Sequence, residues 1–238
     1  MENSELSFSL LELFSMGGIF MWPLLLFSIA VVAITLERTI YLLYHNLKLD
    51  DLKEKVEKAI QSGNMEEVRV YLESRTRRRM GARILLTLVK RSGMTEERLE
   101  KAVEAEAMSC VSSLENGFNF LTALGSLSPL TGFLGTVSGM IAAFRSIAEA
   151  VDVNAQIVAN GIYEALITTV FGLIIAIVAM SAHSLFTHIV DKFASELEIA
   201  CSDLIIGLSE PAGGPEEPRV NDARFPSGET GEAAEHGN

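Results

Sequence analysis

One stretch of this chain reads Gly161-Ile-Tyr-Glu164-Ala-Leu-Ile-Thr168-Thr169-Val-Phe-Gly172. It places a single carboxylate at the start of an uncharged segment, Ala165–Val190. An acid inside a membrane span costs about 2.5–3.5 kcal/mol on insertion scales, and such residues usually face a water path, a proton path or a partner chain. Glu164 is therefore the first candidate functional residue.

Two further uncharged segments, Leu13–Leu36 and Gly117–Phe144, precede the third. All three exceed the roughly 20 residues needed to cross about 30 Å of hydrocarbon. The segment Asp50–Glu115 carries charge throughout and offers no fourth span. The sequence therefore predicts an all-α integral membrane protein with three transmembrane helices and long cytoplasmic helical extensions.

Lysine and arginine lie almost entirely on one side of these spans. Of the 19 basic residues, 15 lie between Arg38 and Lys101, and only Arg145 falls on the other side. The positive-inside rule then puts the N-terminus outside and the C-terminus in the cytoplasm. The acidic N-terminus lacks the basic region of a signal peptide, so the first span is expected to be retained. No basic patch with interleaved aromatic residues points to nucleic acid.

Hydropathy and charge divide the chain into eight segments. They are an amphipathic helix at the outer interface (1–15), transmembrane helix 1 (16–37), a cytoplasmic helical domain (38–116), transmembrane helix 2 (117–144), a periplasmic loop (145–160), transmembrane helix 3 (161–187), its cytoplasmic extension (188–208) and a disordered acidic tail (209–238). No proline lies between Thr95 and Pro129, so one helix is predicted from about residue 96 through the second span.

Small residues share one face of the third helix when it is drawn at about 100° per residue. Glu164 and Thr168 lie on that face, and Thr169 lies at its edge. The second helix carries a matching stripe, and small residues of this kind allow close helix packing. The predicted packing residues are Pro129, Gly132, Gly135, Gly139, Gly161 and Gly172. Thr136 is expected to face the same interior as Glu164 and to line a proton path with Thr168 and Thr169.

Three interpretations of Glu164 remain open at this point. Its side chain would reach the outer interface, serve only helix packing, or act as the titrating or pore-lining group of an ion path. No basic residue lies within any span, which favours a carboxyl that changes protonation over a fixed ion pair. His183 and His188 are expected at the cytoplasmic interface, with a role in proton exit as the alternative.

Two other function classes can be compared with an ion path. A non-conducting membrane scaffold would use the small stripes for packing alone. An intramembrane protease would use Ser138 with His183, although three spans and a glycine-lined helix argue against it. Cys110 and Cys201 match no metal spacing and are expected to be free thiols. Neither a metal site nor a bound cofactor is predicted; protons would be the coupling ion.

The motifs together resemble the ExbB/TolQ branch of the MotA/TolQ/ExbB proton-channel superfamily. The residues that carry the resemblance are Gly17-Gly18 and Met21-Trp22-Pro23 in the first span, Pro129-Leu-Thr-Gly132-Phe-Leu-Gly135-Thr136-Val-Ser-Gly139 in the second, and Gly161, Glu164, Thr169 and Gly172 in the third. The resemblance extends from Leu6 to about Leu208.

This resemblance implies a homopentamer of three-span subunits in the bacterial inner membrane. The pentamer would surround a dimer of a single-span ExbD/TolR-like partner that carries an essential membrane aspartate. Using the proton motive force, the complex would work on the outer membrane through a TonB- or TolA-like protein. Glu164, Thr136 and Thr169 stand at the family's polar pore positions, and Pro129 at its second-helix proline. The sequence does not separate the ExbB role from the TolQ role.

Overall fold

The computed structural model describes Phe14 and residues 17–45, 47–149 and 155–209. From residue 17 onwards the described chain forms seven helices and no β-strand, which confirms the all-α prediction for this part. They are α1 (Met21–Tyr44), α2 (Asp50–Ser62), α3 (Met65–Arg75), α4 (Met80–Lys90), α5 (Glu96–Glu115), α6 (Phe118–Glu149) and α7 (Ala155–Ser209).

Three helical stretches are long and apolar enough to cross a membrane, as predicted. They are α1, the stretch Glu96–Glu149 that α5 and α6 form together, and α7 from Val158 to Ser209. Large apolar side chains remain exposed along them, including Trp22, Leu26, Phe133 and Ile177. So much apolar surface on a single chain fits contact with lipid or with other membrane chains.

The charged part of the chain forms a helical extension at one end of the spans. Helices α2 to α5 pack with the C-terminal half of α7 around one apolar core. Its fully buried members include Leu52, Leu72, Ile84, Leu85, Leu88, Phe193 and Leu197. Ion pairs fasten its elements, with Lys53 Nζ at 2.6 Å from Asp203 Oδ2 and Lys90 Nζ at 2.7 Å from Glu73 Oε1. The Lys90 ammonium lowers the pKa of the Glu73 carboxyl by hydrogen bonding and charge.

The predicted continuous helix from residue 96 through the second span is wrong in one place. Helix α5 ends at Glu115 and α6 begins at Phe118, with Gly117 between them at φ 90°. Arg38, which is only 8% exposed, occupies this break: Nη1 lies 3.5 Å from the Ser113 carbonyl oxygen, and Nε lies beside Gly117. Carbonyls in the last turn of a helix lack intrahelical donors, so a buried cation stabilises this end.

Two of the membrane helices extend beyond the predicted spans by a turn or more. Helix α1 continues past residue 37 to Tyr44, and α6 continues past residue 144 to Glu149. Helix α7 runs without interruption from the third span into the extension, as expected for 161–208. The predicted interface helix (1–15, apart from Phe14), the loop residues 150–154 and the tail 210–238 lie outside the described residues.

Helices α6 and α7 pack antiparallel with their backbones in contact. A Cβ atom added at Gly132 would lie 2.8 Å from the Thr168 carbonyl oxygen, and one at Gly172 would lie 2.6 Å from the Ser128 carbonyl oxygen. Added Cβ atoms at three further glycines would meet side-chain atoms of the facing helix, namely at Gly135, Gly139 and Gly161. Pro129 lies inside α6 without ending it. We call this glycine-lined contact the α6–α7 seam.

The seam predicts that Gly172→Ala destabilises the chain. The new methyl group meets backbone atoms of α6, and overpacking of this kind typically costs about 1–3 kcal/mol. The matched control is Gly207→Ala in the same helix, because a Cβ atom there meets nothing within 4 Å. That change should only gain helix propensity, worth about 1 kcal/mol. Thermal unfolding in detergent would measure both variants, and a Gly172→Ala protein at least as stable as wild type would contradict the seam.

Candidate functional site

Two threonine hydroxyl groups of α7 donate to one backbone carbonyl of α6. Thr168 Oγ1 lies 3.3 Å from the Gly132 carbonyl oxygen and 2.8 Å from that of Ala165. Thr169 Oγ1 lies 3.1 Å from the same Gly132 oxygen. Hydrogen bonds between membrane helices stabilise by about 0.6–2 kcal/mol. The two threonines therefore fix how α7 is rotated against α6.

Thr168 was predicted to line a proton path, and within the single chain its side chain packs in the seam. It is 1% exposed, in the notch that Gly132 and Gly135 leave open. In this chain Thr168 is therefore a packing residue of the seam. Thr136 and Thr169 are half-buried and keep part of their surface accessible.

Glu164 leaves α7 on a different side from Thr169. Five residues separate them, which is about 140° around a helix with 3.6 residues per turn. The Glu164 side chain is exposed, and its carboxyl lies against Gly18 at the entry to α1. Among the described residues, nothing gives this carboxyl a hydrogen bond or an ion pair.

The predicted polar residues are thus only partly brought together within one chain. Thr168 and Thr169 meet at Gly132, whereas the Thr136 hydroxyl donates to the Phe133 carbonyl of its own helix at 2.7 Å. In the described part of the chain, no hydrogen bond joins Glu164 to any of these threonines. Within the described part of the chain, these groups do not form a continuous polar path.

Ser128 does not satisfy the carbonyl that Pro129 leaves without an intrahelical donor. Pro129 cannot donate to the carbonyl four residues earlier, that of Gly125. The Ser128 side chain is fully buried, and its hydroxyl donates instead to the Leu124 carbonyl at 2.6 Å. Ser128 therefore binds its own helix, with its carbonyl facing Gly172 across the seam.

The geometry rules out the proposed pairing of Ser138 with His183. The His183 ring packs edge-on against Phe118, with 6.1 Å between the ring centroids. Ser138 lies 20 residues farther along α6 than Phe118, about 30 Å at about 1.5 Å per residue. A serine and a histidine so far apart cannot exchange a proton, so this Ser–His site does not exist within a chain.

Titratable groups elsewhere in the described part of the chain form no alternative metal site. Within the described residues, no group of three or more histidine, cysteine or acidic side chains is placed to hold a metal ion. Cys110 and Cys201 are both buried and free. The Nδ1 atom of His183 is buried without a hydrogen-bond partner, and His188 is exposed.

Two residues of structural importance were not recognised from the sequence. In the sequence analysis Gly17-Gly18 contributed only to the family resemblance, yet Gly18 has a left-handed φ of 65° and contacts Glu164. Arg38 was counted only among the basic residues of the cytoplasmic side, yet it occupies the α5–α6 break. Both roles depend on contacts between distant parts of the chain, which no local pattern encodes.

The threonine pair predicts that Thr168→Val weakens the seam. Valine fills the same space but leaves the Gly132 carbonyl with one donor fewer, so the free energy of unfolding should fall by about 0.6–2 kcal/mol. Thr131→Val is the matched control, because that hydroxyl donates only within α6, to Leu127. Chemical unfolding in detergent compares the two. Equal stability losses would show that the interhelical bond contributes nothing.

Comparison with known proteins places the chain in one family. The model of the MotA/TolQ/ExbB proton channel family matches residues 47–199, which include the seam and Glu164. The chain is 32% identical over 205 residues to an ExbB-like biopolymer transport protein of Synechocystis sp., covering 80% of this chain and 78% of that protein.

Two further relatives carry related names. Biopolymer transport protein exbB1 of Vibrio cholerae is 27% identical over 196 residues, covering 80% of this chain and 84% of that protein. The Tol-Pal system protein TolQ of Haemophilus influenzae is 45% identical over 74 residues, covering 31% of this chain and 32% of that protein. The similarity therefore reaches both the ExbB and the TolQ branches.

Proposed function

We propose that this chain, which belongs to the MotA/TolQ/ExbB proton channel family, is a proton-channel subunit of a motor in the bacterial inner membrane. The motor converts the proton motive force into mechanical work on the outer membrane. Relatives named ExbB and TolQ both match. The proposal therefore covers two roles: energising TonB-dependent transport, and maintaining the cell envelope. It is a transport function and not an enzymatic one.

Glu164 is the observation that carries this proposal. It is the one carboxylate that enters the apolar part of a candidate span, and it remains exposed without a hydrogen bond from any described residue. Keeping an uncompensated acid at membrane depth is costly, and such residues mark ion and proton pathways. A role in alternately binding and releasing a proton would explain why the chain keeps this carboxyl despite its cost.

The proposed assembly is a homopentamer around a dimer of a single-span ExbD/TolR-like partner. The exposed apolar faces of α6 and α7, with residues such as Phe133 and Leu166, supply surface for neighbouring subunits and lipid. Because one chain supplies a single membrane carboxyl, the rest of the relay would come from the partner's own span. A membrane aspartate there would receive the proton from Glu164.

The proposed orientation has the N-terminus in the periplasm and the helical extension in the cytoplasm. The extension holds most of the lysine and arginine residues of the chain, and such residues accumulate on the cytoplasmic side. Glu164 then lies near the periplasmic end of α7, where protons enter. At about 150 mV, one proton that crosses the membrane delivers about 3.5 kcal/mol.

The proposal predicts that Glu164→Gln abolishes proton flux while leaving assembly intact, because the amide cannot bind and release a proton. The complex, purified through a tag on this chain and reconstituted in liposomes, would be tested with a pH-sensitive dye under an imposed membrane potential. Glu149→Gln is the matched control: it removes a carboxylate at the same end of the spans, but an exposed one that pairs with Arg145 at 2.8 Å.

Wild-type flux in Glu164→Gln would overturn the proposal. A non-conducting scaffold gives the opposite pattern, in which Glu164→Ala retains cellular function and Gly132→Leu, which blocks the seam, loses it. Ser138→Ala should leave function unchanged in either case, because none of the histidines that the structure describes lies within reach of Ser138.

A further inference from the structure

We infer that Gly18 is a positioning residue for Glu164. Because Gly18 has no side chain, its backbone ahead of α1 contacts the Glu164 carboxyl and fixes the position of that carboxyl in the membrane. We call this backbone surface the seat. This inference rests on the proposed function and adds to it a residue of the first span. Gly18 lies outside the part of the chain that the family model matches, residues 47–199.

The seat is defined by direct contact. A Cβ atom built on Gly18 would overlap Oε1 of Glu164 and would lie 2.9 Å from its Cδ and 3.5 Å from its Cγ. The end of the glutamate side chain therefore occupies the space that any other residue at position 18 would fill. Oε1 and the carboxyl carbon therefore lie against this backbone.

The backbone conformation at this point independently requires glycine. Gly18 has φ 65°, in the left-handed region that residues with a Cβ atom rarely adopt. Its carbonyl accepts from the Met21 N–H at 3.3 Å, and the Gly17 N–H donates to the Phe14 carbonyl at 3.3 Å. The seat is thus a turn held by hydrogen bonds on both sides.

A second contact ties the same turn to α7. Gly17 is buried, and a Cβ atom there would lie 3.4 Å from Cγ2 of Ile167. Ile167 is three residues after Glu164, so the two side chains are neighbours on one face of α7. The turn therefore packs against α7 through one apolar contact and one contact with the carboxyl. Together these contacts fix the position of the turn along α7 relative to Glu164.

Holding the carboxyl in one place matters for proton transfer. A glutamate has three rotatable side-chain bonds, and an unpartnered one at an exposed position would sample many rotamers. In catalysis, displacing a reacting group by about 1 Å can cost about 100-fold in rate. With no hydrogen bond from described residues, the shape of the Gly18 turn is what restricts the carboxyl.

The test must distinguish the effect of filling the space beside Gly18 from the effect of straining its backbone conformation. Gly18→Asn keeps the left-handed conformation, which asparagine tolerates, but adds the Cβ atom. Gly18→Ala adds the same atom with more strain. Gly63→Ala is the matched control, because Gly63 has φ 72° and a Cβ atom there meets nothing within 4 Å.

Two measurements on the purified complex follow from the inference. Proton flux should fall about 10- to 100-fold in Gly18→Asn and Gly18→Ala, since a misplaced carboxyl transfers protons slowly. The rate at which dicyclohexylcarbodiimide labels Glu164, followed as a mass shift with Glu164→Gln as the blank, should rise because the carboxyl leaves its seat. Gly63→Ala should match wild type in both.

Each contrary outcome has a defined meaning. Wild-type flux and labelling in Gly18→Asn would overturn the inference. If Gly63→Ala and Gly18→Ala lose equal proton flux and labelling is unchanged in both, Gly18 is needed only for its backbone conformation. This result would also overturn the inference. Full flux in Glu164→Gln would instead refute the proposed function, so the two failures are distinguishable.

Discussion

The close approach of α6 and α7 is the constraint on which the other features depend. Between helices surrounded by lipid, association relies on packing and interhelical hydrogen bonds, because lipid tails are as apolar as the side chains. Here the Gly172 backbone meets the Ser128 carbonyl, and the Gly132 backbone meets that of Thr168. Contacts this short admit one rotation of α7, and that rotation decides which residues are buried and which remain exposed.

At this rotation, neighbouring polar groups of α7 contact different parts of the chain. The hydroxyl groups of Thr168 and Thr169 are directed at α6, where both meet the Gly132 carbonyl. Glu164 is turned away from that carbonyl and towards the first span. The threonines thus stabilise the helix pair, while the carboxyl stays accessible, which is what a group that exchanges protons requires.

Sequence periodicity predicted those features that depend on local pattern. Three apolar helices, the small face of α7 and the isolated carboxylate all follow from spacing and charge. Features set by contacts between distant segments were not accessible. The break at Gly117 involves Arg38 and the Ser113 carbonyl, which are 75 residues apart. The sequence did not distinguish Thr168 from a pore-lining threonine. Its burial depends on how α7 is rotated against α6, and the pattern of one helix does not reveal that rotation.

Glu164 is held by two parts of the structure that are independent of each other. The seam fixes the angle of α7, and the Gly17-Gly18 turn, packed on Ile167, fixes where α1 begins relative to α7. Both lie within one chain, so the position of the carboxyl is set before any subunit meets another. In the proposed assembly, the neighbours and the partner would then supply the water path and a proton acceptor, and each subunit would hold its own proton-binding group in place.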